Sequence, residues 1–358
     1  MQPFQEAIDF AFAHETSWSR ENLDNFGIHK ADPAPFNQLL GPVHPRGGVS
    51  GVIHVAGEKV CEWGEPHRAD LTFSIAKTYL AMLAGVAHDT GLLPDVHEPV
   101  YRRVAGIGFE DAHNAQVTWM HLLQQTSEWE GSCFGIPDQV DRYRHLQYQP
   151  TPSVGKKGDA RPLQTPGSYW EYNDVRINQL ALALLHVFRR PLPDVFRDTI
   201  AKPCGVSNNW KWEGYHNSWV EIDGQRMQSV PGGTHWGGGM SISSADQALI
   251  GQMLLNGGRL GARQVLSQAW VRSMHAPCDI ANWYGMLVWL NTQRGICKGA
   301  SESSYFCIGA GASFVWIDPE NELVAVVRWI EGSHINGFCE LVTKALNTAS
   351  ATKPSPTA

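Results

Sequence analysis

A chain of 358 residues with 43% hydrophobic and 18% charged side chains has the profile of a folded protein, able to bury a large core in one domain or two lobes. Its net charge of −7, with no basic run longer than Lys156-Lys157 or Arg189-Arg190, argues against a polyanion-binding surface, so nucleic acid is not expected as a partner. The seven cysteines are odd in number and scattered without a Cys-x-x-Cys, which speaks against a disulfide framework or a zinc site and fits free thiols in the cytoplasm.

At the N-terminus, Phe4, Ile8, Phe10, Ala11 and Phe12 interleaved with Glu6, Asp9 and His14 predict a short amphipathic helix rather than a signal peptide. No apolar run approaches the roughly 18 residues that span a bilayer, so no membrane contact is expected. After the Pro/Gly-rich "ADPAPFNQLLGPVHPRGG", the segment "VSGVIHVAGEKVCEWG" predicts a hairpin turning at Ala56-Gly57-Glu58-Lys59. Residues 75–88 predict a helix, with Ile75, Leu80, Leu83, Ala84 and Ala87 at helical spacing and Gly91 as a stop. From 95 to 300 the chain is rich in loops, with helices predicted at 175–188 and 244–256. A second hairpin, "SFVWIDPENELVAVVRW", turns at Asp318-Pro319-Glu320-Asn321, a helix follows at 336–348, and the tail "ATKPSPTA" has the composition of a disordered segment. Strands near both ends and helices between them predict an α/β (α+β) fold. An antiparallel sheet with flanking helices, from 1–95 and 300–350, would carry an inserted, mostly helical lobe at 96–299.

Ser-x-x-Lys occurs three times, at Ser74/Lys77, Ser153/Lys156 and Ser350/Lys353. The last two fall in a Gly/Pro/Lys loop and in the tail, where no rigid frame holds an amine against a hydroxyl. Ser74 instead follows the strand-like "LTF" and opens a helix, so Lys77 lies one turn on, on the same face. Two readings fit this local pattern. Ser74 is either a helix N-cap beside a solvated lysine, or a nucleophile whose base is a lysine neutralised by burial, set where a helix terminus favours negative charge.

Two downstream segments bear on the choice. "PGSYWEYNDVRINQLALAL" (166–184) places Tyr172 just before a helix, where a tyrosine beside a cation can shuttle a proton. "YFCIGAGASFVWIDP" (305–319) is a Gly-rich approach to a strand, suited to bringing backbone N–H groups to a substrate oxygen. With "VTWMHLLQQTSEWEG" (117–131) and "HWGGGMSISSADQALIGQMLLNGG" (235–258), these segments resemble the serine beta-lactamase and penicillin-recognising superfamily in its class C-like branch, over about Gly48 to Trp329. That branch includes family VIII carboxylesterases and 6-aminohexanoate-dimer hydrolases.

The resemblance implies Ser74 as acylated nucleophile, Lys77 as its general-base partner and Tyr172 as the relay that protonates the leaving group and activates water. It implies an oxyanion hole from the N–H groups of Ser74 and Ala310, next to Gly309, each donor worth roughly 3–4 kcal/mol in the transition state. No cofactor is expected, the fifteen histidines show no ligand spacing that would predict a metal, and the oligomeric state is left open. Two positions depart from the pattern. Tyr-x-Asn becomes Tyr172-Asn173-Asp174, which puts a carboxylate where an amide is usual. Near Lys77, Asp174 would favour the charged amine while burial opposes it, and burial is expected to dominate. The Lys-Thr-Gly element begins with Cys307, so the cation that greets a beta-lactam carboxylate is missing there.

The expected activity is therefore a serine hydrolase, of esterase or amidase type, acting on a small ester or amide. A beta-lactamase or D-amino-acid peptidase is an alternative, and so is a binding protein on this fold whose chemistry has lapsed, for which Asp174 is the best support. No Gly-x-Ser-x-Gly elbow and no His-Glu-x-x-His occurs. His235 is a candidate for the pocket wall, as are Trp129, Trp170 and Trp236, which flank the matched segments. Most of the fourteen tryptophans are expected to be packing residues.

Overall fold

The computed structural model describes residues 4–21 and 28–351. The predicted "ATKPSPTA" tail lies almost wholly outside them. Chain order begins with helix α1 (Gln5–Ala13) and the hairpin β1 (Ser50–Val55) and β2 (Glu58–Trp63). The hairpin closes on two residues, Ala56 and Gly57, both at positive φ (50° and 82°), the backbone that matches strand twist in a tight turn. Short strand β3 (Asp70–Leu71) leads into helix α2 (Ile75–Asp89). Helix α3 (Asp174–Phe188), strands β4 (Lys211–Glu213) and β5 (Gly239–Ile242) and helix α4 (Ser244–Leu255) follow. Strands β6 (Trp289–Leu290), β7 (Tyr305–Gly309), β8 (Ser313–Asp318) and β9 (Leu323–Arg328) and helix α5 (Ile335–Ala351) complete the frame.

The main sheet is antiparallel in the order β6-β7-β8-β9-β1-β2, so the C-terminal hairpin pairs with the N-terminal one through β9 and β1. Successive side chains point to opposite faces. On one face Phe314 meets Phe338 of α5 at 6.0 Å. On the other, Val315 and Val324 pack so closely on Gly251 of α4 that a Cβ there would come within 2.7 Å of Val324. The predicted α/β architecture is thus present, but two pieces of the 96–299 segment belong to the sheet layer: β6 pairs with β7, and α4 covers β1, β8 and β9. Spacing of apolar residues locates α4 but not the layer on which it packs.

Helix α2 is buried along its whole length from Ile75 to Ala87, between α3 and β7. A helix apolar on all sides belongs in a core, and the burial of Lys77 within it is the anomaly that leads to the site. No described helix is long and apolar enough to cross a membrane.

Candidate active site

Ser74 is placed by a short, tightly held approach. β3 pairs with β5, and Thr72 N–H donates to Met240 O at 2.7 Å. Phe73 then takes a positive φ of 51°, a costly conformation for a bulky residue, held by edge contacts of its ring with Trp18 (5.6 Å) and Trp329 (6.2 Å). The chain turns there and delivers Ser74, half-buried, at the head of α2. Its side chain does not cap the helix. Instead Lys77 Nζ donates to Ser74 Oγ at 2.9 Å and to Gly232 O at 3.2 Å. The solvated-lysine reading is excluded: Lys77 is 1% exposed. Ile75, Ala76 and Lys77 N–H bond back to Thr72, Phe73 and Ser74 carbonyls, so the Ser74 amide lies just outside that ladder. Gly309 at the end of β7 lies against the same approach, since a Cβ there would sit 2.1 Å from Thr72 O.

Tyr172 and Asp174 come from the start of α3. Asn173 caps that helix, its Oδ1 accepting from Val175 N (3.0 Å) and Arg176 N (3.2 Å), while Gln125 holds the backbone N–H groups of Glu171 and Asn173. Asp174 occupies the first turn, where a carboxylate is favoured. Its Oδ1 is ion-paired with Lys77; its Oδ2 accepts from Arg144 (2.5 Å) and lies 3.0 Å from His235 Nδ1. Arg144 also pairs with Asp141 at 3.1 Å, and His235 Nε2 is 2.8 Å from Asp32 Oδ2. Lys157 pairs with Asp32 and, at 3.3 Å, with Asp141. Asp141, Asp174 and His235 bring metal-ligand atom types within 4.8 Å of one another, but the Arg144 guanidinium already contacts all three and holds the place of a cation.

Burial, the largest single influence, pushes the Lys77 pKa down, but the charge and hydrogen bond of the Asp174 carboxylate together with Tyr172 outweigh it, so the amine is held above the ordinary lysine value. The expectation that burial would dominate is overturned, because the carboxylate is in direct contact. Burial would raise Asp174, yet Arg144, Lys77 and His235 hold it well below the usual carboxylate range. The Tyr172 ring lies under two cations, with Lys77 Nζ 4.9 Å and the Arg144 guanidinium 5.4 Å from its centroid.

Ser74 opens into a cavity of about 220 Å³. Trp18, Tyr148, Tyr172 and Trp289 form its aromatic walls, and Ile308, Gly309 and Ala310 line it from β7 and the turn after it. Arg144 and Glu331 supply charge to its lining.

A family model, beta-lactamase, matches residues 44–329. The chain belongs to the beta-lactamase family. Among solved structures, EstCE1, a hydrolase with promiscuous acyltransferase activity, is similar with TM-score 0.60 and 14% identity, covering 96% of this chain and 96% of its own. A penicillin-binding protein homolog from Caulobacter crescentus has TM-score 0.58 and 14% identity over 94% of this chain and 100% of its own. A D-stereospecific amidohydrolase from Streptomyces sp. has TM-score 0.53 and 17% identity over 85% and 93%. At such identities the likeness is one of fold. No curated protein matches the chain.

Of the residues singled out in this beta-lactamase-family sequence, Ser74, Tyr172, Gly309 and Ala310 meet at the cavity, with Lys77 directly behind Ser74. Six others do not line it. Asp174 stands behind Lys77, and His235 lies deeper still, 2% exposed, bonded on both ring nitrogens. Cys307 faces away because strand side chains alternate: Ile308 lines the cavity, so Cys307 turns to Thr78 of α2, and burial lifts its thiol to about 12. Trp170 is packed behind Tyr172 among Trp283, Tyr284 and Trp289. Trp129 and Trp236 are buried, with their indole N–H groups on Gly108 O and Phe36 O. The aromatic walls come instead from Trp18, Tyr148 and Trp289. Of the other Ser-x-x-Lys pairs, Ser153/Lys156 lies in an irregular loop and Lys353 falls outside the described residues.

Sequence reasoning missed Asp32, Asp141, Arg144, Lys157 and Gly232. None stands in a recognisable spacing, and only the burial of Asp174 and Lys77 points to them.

Proposed function

We propose that this chain is a serine hydrolase that cleaves a small ester or amide through an acyl-enzyme on Ser74. The observation that carries the reading is the 2.9 Å contact of a buried lysine amine with a serine hydroxyl that opens into a cavity. Ser74 Oγ attacks the substrate carbonyl and its proton passes to the neutral form of Lys77. The oxyanion is met by the N–H groups of Ser74 and Ala310. Tyr172, whose ring lies beside Lys77 and Arg144, carries the proton to the leaving group and then draws one from the water that releases the acyl group.

Ester or amide substrates are favoured over beta-lactams. The guanidinium in the cavity lining, Arg144, is already matched by Asp141 and Asp174, which leaves it little charge to offer a substrate carboxylate. Arg144 and His235 also answer the case for lapsed chemistry, since they meet the charge of Asp174 that would otherwise act on Lys77 alone. Seven free cysteines favour a reducing compartment, the cytoplasm.

Incubation with a fluorophosphonate, followed by peptide mass spectrometry, tests the reading. A covalent adduct on the peptide holding Ser74 is expected. An unlabelled protein, or an adduct confined to another serine, would overturn it.

A further inference from the structure

A lysine held protonated by a carboxylate cannot accept the proton of Ser74, so the site needs a second place for the Lys77 proton. The lattice behind Lys77 contains one. Its carboxylates are Asp32, Asp141 and Asp174, and its cations are Lys77, Arg144 and Lys157, so the charges cancel when His235 is neutral. The side chains of Asp32, Asp141, Asp174, Lys77 and His235 are each no more than 5% exposed. Net charge in such a place is costly. The lattice is therefore neutral in two arrangements: Lys77 charged with His235 neutral, or Lys77 neutral with His235 charged.

We infer that His235 is the second seat of the Lys77 proton, reached through the Asp174 carboxylate, which touches Lys77 with Oδ1 and His235 with Oδ2. Three carboxylates face the imidazole and suit this, while one guanidinium, Arg144, opposes it. Nδ1 lies 3.0 Å from Asp174, 4.0 Å from Asp141 and 3.2 Å from Arg144 Nη1; Nε2 lies 2.8 Å from Asp32. Trp236 stacks on the ring at 4.0 Å. In the transfer an N–H bond of the Lys77 ammonium breaks, its electron pair stays on Nζ, and the proton passes by way of Asp174 to form Nδ1–H. Asp174 ends ionised, as it began. The imidazolium then donates to Asp174 and Asp32, and a neutral amine faces Ser74 Oγ. His235 touches no substrate; it is a positioning residue for the proton of Lys77. The same lattice explains why this chain tolerates Asp174 beside a lysine base.

This inference rests on the serine hydrolase reading, and one measurement separates the two: the rate of fluorophosphonate labelling of Ser74 as a function of pH. Its acidic limb reports when Lys77 becomes available as a base. In His235→Asn the lattice cancels only with Lys77 charged, so the limb should move up by about one pH unit or more. In Asp32→Asn one carboxylate is gone and the charges cancel when Lys77 is neutral, so the limb should move down by about as much. Opposite shifts from two touching residues are not expected of a merely structural role. Labelling slowed equally at all pH values, or limbs that stay put or move the same way, would overturn the inference. If a thermal melt shows His235→Asn unfolded, the near-isosteric Asp32→Asn decides alone: a limb unmoved or raised defeats the proposal. A wild-type protein that takes no label at any pH fails the hydrolase reading itself, and this inference with it.

Discussion

Two buried ion lattices sit within a few residues of each other along this chain, and they differ in one chemical respect. The first joins Glu128, Glu171 and Asp138 to Arg142, Arg161 and Arg176, with contacts such as Arg161–Glu128 at 2.6 Å, Arg176–Glu171 at 3.2 Å and Arg142–Asp138 at 2.9 Å. The second joins Asp32, Asp141 and Asp174 to Lys77, Arg144 and Lys157, with His235 between. Each sets three buried carboxylates against three cations. In the first every cation is a guanidinium, which keeps its proton at any ordinary pH. That lattice can only fasten, and it fastens the loop around Glu128 to the segment that carries Tyr172. In the second two cations are lysines and a histidine is wedged among the carboxylates, so protons can move. The same charge count makes a clamp in one case and a proton-handling site in the other.

The largest expected effect cuts the second lattice off from its nucleophile. Ser74→Ala should remove essentially all hydrolysis of a p-nitrophenyl short-chain ester while thermal melting stays nearly unchanged, because no ion pair is lost. Full activity in that variant would sink the assignment of Ser74. Breaking the clamp should do the reverse. Arg176→Met leaves buried carboxylates short of a partner and should cost about 3–5 kcal/mol of stability in chemical denaturation, without moving the acidic limb of kcat/KM against pH. A shifted limb would mean that the two lattices are coupled.

Lys77→Ala comes next, with kcat for the ester expected to fall roughly a hundredfold or more. A smaller loss would hand the role of base to Tyr172. Asp174→Asn sharpens the comparison further. Asp174 holds the Lys77 amine above its ordinary value, so removing the carboxylate lets the proton leave at lower pH, and the acidic limb should move down. Glu171→Gln, the matching change in the arginine lattice, should leave the limb where it is. The finest test compares substrates: nitrocefin turnover should be slow beside ester turnover, since Arg144 is already matched by two carboxylates. A nitrocefin kcat/KM at or above that of the ester would favour the beta-lactamase reading.

The elements that carry the site were legible in the chain, because their signals are local. Apolar spacing located α2 to within a residue of Ile75–Asp89, and the Val- and Ile-rich runs around Gly57 and Pro319 located the two hairpins of the sheet. Errors arose where a side chain's direction mattered. The motif puts Cys307 where a substrate-facing cation is usual, but strand alternation gives the cavity face to Ile308. Trp170 was assigned from its nearness to Tyr172, yet it packs behind the tyrosine while Trp18, Tyr148 and Trp289 reach the cavity from distant segments.

By itself the sequence determined that Ser74 heads a helix, that Lys77 follows one turn later on the same face, and that Tyr172 precedes a helix. Each depends on backbone preferences within a few residues. Tertiary structure alone decided what state Lys77 is in. Its amine is held charged by Asp174, and Asp174 is held ionised by Arg144, Lys77 and His235, residues drawn from well-separated parts of the chain. Electrostatic coupling in a water-poor interior depends on distance in space, and only the folded chain supplies those distances.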